Sequence, residues 1–293
     1  MRFHRHEILK ILPYLQLQEI VFRDRLTASP ELAFSILLAR LAWPRRNEDL
    51  EIFFGRSKTF ISLIFNDTIL HLYNRYSAII EWHPLLTYEK LQFYAQRLNA
   101  LGSSKIWGFI DGTFRKICRP KRNQQHIYSG YKKAHGFKYQ GIATPDGMIL
   151  SCAGPFEGRL HDISLYTLSG LETRLEKLFE GQEPLFLYGD SPYESCYRVI
   201  APYKRTRLLT RAEIAFNCAL SSDRISIEQA FGYVTSIWRV NSLDINLKAL
   251  LQPVAVYYAI SVFLTNIRTC LRGNVVLKRY KIQPPLLEDY LLV

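Results

Sequence analysis

Cysteine is scarce in this chain, and its few positions show no pairing pattern. The 293 residues include five cysteines, an odd number, and no two of them form a C-x-x-C pair. This arrangement excludes a disulfide framework and the usual spacing of zinc ligands. We therefore expect the cysteines to be small core residues in a protein of a reducing compartment.

Internal repeats and a signal-peptide core are also missing. Residues 1–20 carry charges throughout, so they do not resemble a secretory leader. One uncharged stretch covers residues 249–267, but Gln252, Ser261 and Asn266 interrupt it with polar groups. We therefore predict a buried helix in this stretch rather than a membrane span.

Acidic residues are fewer than basic ones. The chain has 26 Asp and Glu against 38 Lys and Arg, which gives a net charge of +12. Such a balance attracts polyanions, nucleic acid among them. Apolar residues make up 48% of the chain, enough for a full core. The pattern changes near residue 100, which predicts a helical region over residues 1–100 and a second domain over residues 101–293.

The N-terminal region contains two helices in helix-turn-helix proportions. The segment NEDLEIFFG predicts a short helix that ends at Gly55, and Ser57 is suited to cap the longer helix that follows. Arg56 and Lys58 would stand at the start of that second helix, where side chains reach phosphates and base edges. An ordinary packed helical hairpin is the alternative interpretation.

The remainder of the chain alternates between strands and helices. IWGFID and PLFLYGD are short apolar runs, and KYQGIATPDGMILSCAG reads as two strands joined at a Pro-Asp-Gly turn. A long helical pattern covers residues 211–238. This order predicts an α/β domain with a mixed sheet, and it fits the ribonuclease-H-like fold.

Three acids stand where such a fold would form a cleft. Asp111 closes IWGFID, Asp190 closes PLFLYGD, and Glu228 lies within the predicted helix. Carboxylates from separate elements suit a pair of Mg²⁺ or Mn²⁺ ions, which together promote phosphoryl displacement. Each aspartate could instead form part of a turn or cap a helix. Glu228 lies on the flank of an apolar stripe and could instead be a solvated side chain. Asp162 is an additional acid that either caps a helix or joins the metal site.

A basic segment follows Asp111 directly. Residues 113–138 contain eight Lys or Arg and no acid, with tyrosine and phenylalanine between them. Positive charge beside a metal site would neutralise phosphates, and the aromatic rings could stack on an unpaired base. The alternative is a solvated charged loop. The candidate nucleic-acid contacts are Arg115, Lys116, Arg119, Lys121, Arg122, Lys132 and Lys133.

Taken together, these segments resemble a known family. IDGT, YSGYKK, LHD, YGDSPY, FNCALSSDRISIEQAFG and LTNI occur in the order found in PIF/Harbinger transposases and the Harbinger-derived nuclease. The resemblance covers residues 105–270, and the helix-turn-helix segment resembles the part that precedes the catalytic domain in that family. It implies a DDE nuclease domain of ribonuclease-H-like fold, with Asp111, Asp190 and Glu228 as the catalytic, metal-binding acids.

The resemblance also implies an activity, partners and a location. It implies metal-dependent cleavage of double-stranded DNA at transposon ends or target sites, with strand transfer in an active element. A Myb-like accessory protein would assist DNA binding and nuclear entry, and a homodimer is one expected assembly. The runner-up is a catalytically silent DNA-binding or scaffold protein. A glycosidase with paired carboxylates is a third reading, against which the basic balance argues.

Overall fold

The computed structural model describes residues 2–43, 46–99, 105–204, 208–242, 247–248 and 251–291, without the side chains of residues 99, 221–224 and 226. Five helices precede the sheet: α1 (Arg5–Leu15), α2 (Pro30–Ala42), α3 (Asn47–Phe54), α4 (Lys58–Glu81) and α5 (Tyr88–Asn99). Serine side chains cap two of them: the Ser29 hydroxyl accepts a hydrogen bond from Leu32 N at the start of α2, and the Ser57 hydroxyl accepts one from Phe60 N at the start of α4. The predicted domain boundary at residue 100 lies outside the described residues.

A mixed sheet forms the centre of the rest of the chain. Its strands are β1 (Ile106–Lys116), β2 (Tyr128–Ser129), β3 (Ala134–Ala143), β4 (Ile149–Glu157), β5 (Phe186–Tyr188) and β6 (Val199–Ile200). The spatial order is β4-β3-β1-β5-β6, with β2 pairing the start of β3. β4, β3 and β1 are antiparallel neighbours, whereas β5 and β6 run parallel to β1. The predicted mixed α/β architecture is therefore confirmed.

Helices cover both faces of this sheet. The later ones are α6 (Gln124–Ile127), α7 (Asp162–Leu168), α8 (Leu171–Leu178), α9 (Arg211–Ile237), α10 (Val254–Arg272), α11 (Val275–Tyr280) and α12 (Leu287–Leu291). α7 lies over one face of β1, since a Cβ added to Gly112 would meet Asp162 and Leu165. α9 and α10 lie over the other face, where Phe231 packs at Gly141 and the Tyr258 ring packs at a tilt against Tyr139.

The uncharged stretch at residues 249–267 contributes to a core helix. Helix α10 is long and apolar enough to cross a membrane, but 78% of its most apolar window is buried inside the protein. The polar Asn266 is satisfied there: its side chain accepts from Ile149 N at 3.0 Å and donates to Ile149 O at 2.8 Å. The prediction of a buried helix is confirmed over α10, while residues 249–250 lie outside the described part.

Two secondary-structure predictions were wrong in detail. β1 continues for 11 residues and places Asp111 at its middle, because β3 pairs with it as far as Lys116. The helix predicted after His161 is broken into α7 and α8 by Gly170, whose φ of 64° is left-handed. The five cysteines form no disulfide with one another, and the expected core position holds fully only for Cys152, since Cys118, Cys196 and Cys270 are half-buried and Cys218 is exposed.

Candidate nuclease site

Asp111 and Asp190 occupy equivalent positions on neighbouring parallel strands. Phe109 of β1 pairs with Tyr188 of β5, and each aspartate stands two residues beyond its strand's member of that pair. Neighbouring strands lie about 4.8 Å apart. The two carboxylates, each half-buried, therefore emerge side by side. At this point β5 ends, and β1 continues with β3 as its neighbour.

The same register places both carboxylates on one face. A Cβ added to Gly189 would meet the Ile110 side chain at 3.0 Å, so these two residues share a face of the sheet. Because side chains alternate along a strand, Asp111 and Asp190, the next residue in each case, point to the opposite face. Each carboxylate also accepts a hydrogen bond from the following backbone N–H, at 2.8 Å from Gly112 N and from Ser191 N. The two acids thus share a register position, a face and the same hydrogen bond to the next backbone N–H.

The face that carries Asp111 is the one covered by α9. Gly141 of β3 is the direct antiparallel partner of Asp111, and such partners project to the same side of a sheet. A Cβ at Gly141 would lie 2.6 Å from the Phe231 ring of α9. Glycine at this position is therefore what allows α9 to approach the sheet beside Asp111. A glycine inside a strand pattern is the sequence signal for such a close approach, and the role of Gly141 was missed.

Glu228 lies on α9 one helical turn before Phe231. The predicted apolar stripe is confirmed, because Leu220, Ile227 and Val234 are buried. Glu228 stands on the flank of that stripe and is exposed. Within the part of the chain that the structure describes, no three His, Cys, Asp or Glu side chains form a group able to hold a metal. The convergence of Glu228 with the two aspartates therefore stays a prediction.

Asp162 approaches the same strand from the opposite side. Its Oδ1 lies 2.6 Å from where a Cβ on Gly112 would be, and Gly112 faces away from Asp111. Lys138 Nζ holds the carboxylate at 3.1 Å. His161, not Asp162, is the N-cap residue of α7, so the capping alternative for Asp162 was wrong. Asp162 therefore forms an ion pair with Lys138 that connects α7 to β3.

A buried tyrosine connects the second aspartate to this side of the sheet. Tyr193 ends the 3-10 turn that Asp190 caps, and its hydroxyl accepts a hydrogen bond from Gln140 Nε2 at 3.3 Å. Burial raises the pKa of Tyr193 well above its usual range, with the charges of Asp162 and Asp111 adding to the effect. The turn after Asp190 is thereby anchored in the core. Sequence analysis assigned no role to Tyr193 or Gln140.

The helix-turn-helix-like segment has the predicted local geometry. Gly55 closes α3 with a φ of 61°, and Ser57 caps α4. Arg56 and Lys58 are both exposed. Lys58 pairs with Glu48 of α3 at 2.8 Å, while the Arg56 guanidinium lies over the Phe60 ring. α4 is 24 residues long and continues to the sheet, where the backbone after it bonds to β4 through His83 N and Leu150 O.

The basic segment lies partly in β1 and β3 and partly in the connection between them. Arg115 is turned inward: its guanidinium lies over the Tyr258 ring at 4.7 Å and contacts Thr113 Oγ1. We therefore leave Arg115 out of any nucleic-acid surface. The other predicted contacts are exposed, with Arg119 bonded to Gln124 Oε1 at 2.8 Å. They are Lys116, Arg119, Lys121, Arg122, Lys132 and Lys133.

Comparison with known proteins agrees with this arrangement. The family described as DDE superfamily endonuclease matches residues 110–266, more than half of the chain. The matched range begins one residue before Asp111 and includes Asp190 and Glu228. No curated protein and no solved structure matches the chain. The match covers more than half of the chain, and the strand register and the basic surface agree with it. The chain therefore belongs to the DDE superfamily endonuclease family.

Proposed function

We propose that the protein is a divalent-metal-dependent DNA nuclease of the transposase type, with Asp111, Asp190 and Glu228 as its catalytic acids. The observation that carries the proposal is the equivalent placement of the two aspartates on β1 and just after β5, on one face. Family membership supports a nuclease reaction. Glu228, exposed on the helix that covers this face, would complete the site by turning toward the sheet.

The donor set fits a hard divalent cation. Mg²⁺ and Mn²⁺ prefer oxygen ligands, and one or two carboxylates together with substrate phosphate are enough to hold Mg²⁺. Asp111 supplies its carboxylate oxygens from β1 and Asp190 from the turn that follows β5, and a backbone N–H orients each of them. Members of this family generally use divalent metal ions. A pair of such ions would activate water and stabilise charge on the attacking and leaving oxygens of a phosphodiester.

The chain's own residues would align the substrate and the acids. The exposed lysines of the β2–β3 turn, Lys132 and Lys133, would bind the phosphate backbone at the end of β3 away from Gly141, the partner of Asp111. Tyr131 between Gly130 and Lys132 is 89% exposed and could stack on a base. The Tyr193–Gln140 contact keeps the turn after Asp190 in place, so the carboxylate stays oriented during turnover.

The finer family assignment is part of the proposal. A sheet of three antiparallel strands followed by two parallel ones, with acids on β1 and after β5, supports a ribonuclease-H-like fold. The ordered motifs from IDGT to LTNI support a PIF/Harbinger-type transposase. The α3–α4 segment would bind DNA as a helix-turn-helix, with Arg56 at the start of its second helix. A Myb-like accessory protein, a nuclear location and a homodimer complete this proposal.

Nicking of supercoiled plasmid by the purified protein tests the activity. We expect Mg²⁺ or Mn²⁺ to be required, and Asp111→Ala, Asp190→Ala and Glu228→Ala to reduce nicking to background. Glu180→Ala removes an exposed carboxylate outside the site and serves as the matched control. Equal nicking by the wild type and the triple alanine variant would reject the proposal in favour of a silent DNA-binding protein.

A further inference from the structure

A second site candidate lies away from the sheet, between the N-terminal helices and α10. A cavity of about 400 Å³ lies beside the end of α2 and the start of α3, and Val240, Leu247 and Leu251 line its other side. Four basic side chains line it: Arg40, Arg46, Lys58 and Lys248. A volume of this size falls within the range of small-molecule sites, which is about 300–1,000 Å³.

The acidic side chains described in the cavity wall do not balance its positive charge. Glu48 is the one acid among the described lining residues, and it already bonds Lys58 at 2.8 Å, which raises the pKa of Lys58. Arg46 and Lys248 are exposed at the rim and form no ion pair with a described residue. Among the residues that the structure describes, Glu48 is thus shared between Lys58 and Arg46, whose charges both lower its pKa, and Arg40 and Lys248 have no acid partner in this wall.

Among the basic residues of the cavity, Arg40 carries the most deeply buried positive charge. Its guanidinium lies 4.2 Å from the centre of the Phe65 ring, and burial lowers its pKa. Its Nη1 atom is inaccessible to solvent and has no hydrogen-bond partner among the described residues. Arginine keeps its charge in proteins, so a buried guanidinium that lacks an acceptor is unfavourable. Nη1 itself is closed to solvent, so an anion in the cavity that the Arg40 side chain lines would offset the guanidinium charge at short range rather than bond to this atom.

We propose that this cavity binds a phosphate group carried by a nucleotide. Arginine forks match the geometry of phosphate oxygens, and lysines at the rim add charge. The cavity also has room for more than a bare phosphate, and the exposed Leu251 side chain in its wall contributes an apolar surface for the organic part. The nucleotide is either a unit of a bound DNA strand or a free one. The proposal does not depend on the carboxylates, which lie on other elements.

Binding measurements in EDTA test the proposal without any metal-dependent chemistry. Deoxyadenosine monophosphate and inorganic phosphate are titrated by calorimetry, and a labelled 20-base-pair duplex is titrated by fluorescence polarisation. The main variant is the double Arg46→Gln, Lys248→Gln, since both side chains are exposed and the fold should tolerate their change. The control is Arg5→Gln, Lys177→Gln, which removes two exposed positive charges elsewhere.

A third variant probes the buried cation itself. Arg40→Gln removes the charge from beneath the cavity, and circular dichroism checks that it folds. Arg40→Lys keeps a positive charge but loses the planar fork, so it should bind phosphate more weakly than the wild type and more tightly than Arg40→Gln. The exposed double variant keeps the test decisive if neither Arg40 variant folds.

We expect the mononucleotide to bind the wild type and the control alike, and the double variant to bind about tenfold or more weakly. If only the duplex binds, the phosphate comes from DNA, and the double variant should lower the slope of log affinity against log salt by about 2 more than the control does. Equal binding of every ligand by the double variant and the control overturns the proposal. A protein that fails to nick plasmid but passes this test would refute the nuclease proposal alone.

Discussion

Gly141 sits directly opposite Asp111 in the β1–β3 ladder, and its missing side chain makes room for Phe231 of α9. This relationship ties the position of a catalytic candidate to the packing of the helix that carries Glu228. The sheet and the helix are thereby held at a fixed distance at the point where the acids would have to meet. Several consequences of this geometry are open to measurement.

Gly141→Ala should impair activity without removing any acid. The new Cβ would lie 2.6 Å from the Phe231 ring, so α9 must shift away from the sheet. We expect a loss of about 1–3 kcal/mol in the free energy of unfolding and a larger loss of nicking than the stability loss explains. Chemical denaturation and plasmid nicking at a temperature where the variant is folded measure the two effects.

Gly232→Ala on the same helix is the matched control. No heavy atom of another residue lies within 4 Å of its added Cβ. Alanine is favoured over glycine in helix interiors by about 1 kcal/mol, so this variant should be slightly more stable and fully active. Unchanged stability and nicking in Gly141→Ala would show that α9 does not set the geometry of the site.

Asp162→Asn should separate the structural acid from the metal-binding ones. The ion pair with Lys138 is partly buried, so its loss should lower the free energy of unfolding by about 1 kcal/mol. Stabilisation by Mn²⁺ in a thermal melt should persist in Asp162→Asn and disappear in Asp111→Asn. Loss of the Mn²⁺ effect in both variants would place Asp162 in the metal site, contrary to the face assignment.

The pairing of Glu7 with Arg272 predicts an acid-dependent loss of stability. The hydrogen bonds from Arg272, at 2.6 Å from Nε and 2.5 Å from Nη2, lower the pKa of Glu7 from 4.5 to about 2. The folded-state pKa is lowered, so the stabilisation is complete above pH 4.5 and is lost as the pH falls toward 2. Its size is about 3 kcal/mol at neutral pH, from about 1.4 kcal/mol per pKa unit.

Glu7→Gln provides the comparison. The difference in the free energy of unfolding between this variant and the wild type should be large at pH 7 and shrink through the window from 4.5 to 2. Urea titrations at several pH values measure it. A constant difference across the window would mean that the carboxylate is not responsible for the effect.

Lys132→Gln, Lys133→Gln should weaken DNA binding through phosphate contacts. Both side chains are exposed in the turn before β3. Each lost phosphate contact lowers the slope of log affinity against log salt by about 0.9. The double variant should therefore lose up to about 2 in slope, whereas Lys177→Gln on α8 should keep the wild-type slope. An unaltered slope would restrict DNA contact to other parts of the surface.

Local sequence signals predicted most of the elements. Ser29, Gly55 and Ser57 marked helix ends because capping is decided by a few neighbouring residues. The Pro-Asp-Gly turn marked the β3–β4 hairpin for the same reason. The length of β1 was missed, since its second half is polar and gains its strand structure from pairing with β3, a contact distant in sequence.

The site was predictable in part for a related reason. The apolar runs before Asp111 and Asp190 indicated strands that end near each acid, but the shared face follows from register, which the sequence does not state. The N-cap alternative for Asp162 was wrong because helix starts are uncertain by a residue from sequence, and the inward side chain of Arg115 was not expected because residue type does not reveal which face of β1 it occupies. Neither the position of Glu228 relative to the aspartates nor the cavity at Arg40 has a local sequence signal.

A crystal of the protein soaked in Mn²⁺, examined by anomalous scattering, tests the central claim most directly. The account predicts a strong peak within coordination distance, about 2.0–2.3 Å, of oxygens from both Asp111 and Asp190, with Glu228 turned toward it. A peak that touches neither aspartate, or bound Mn²⁺ only at other acids, would contradict the account.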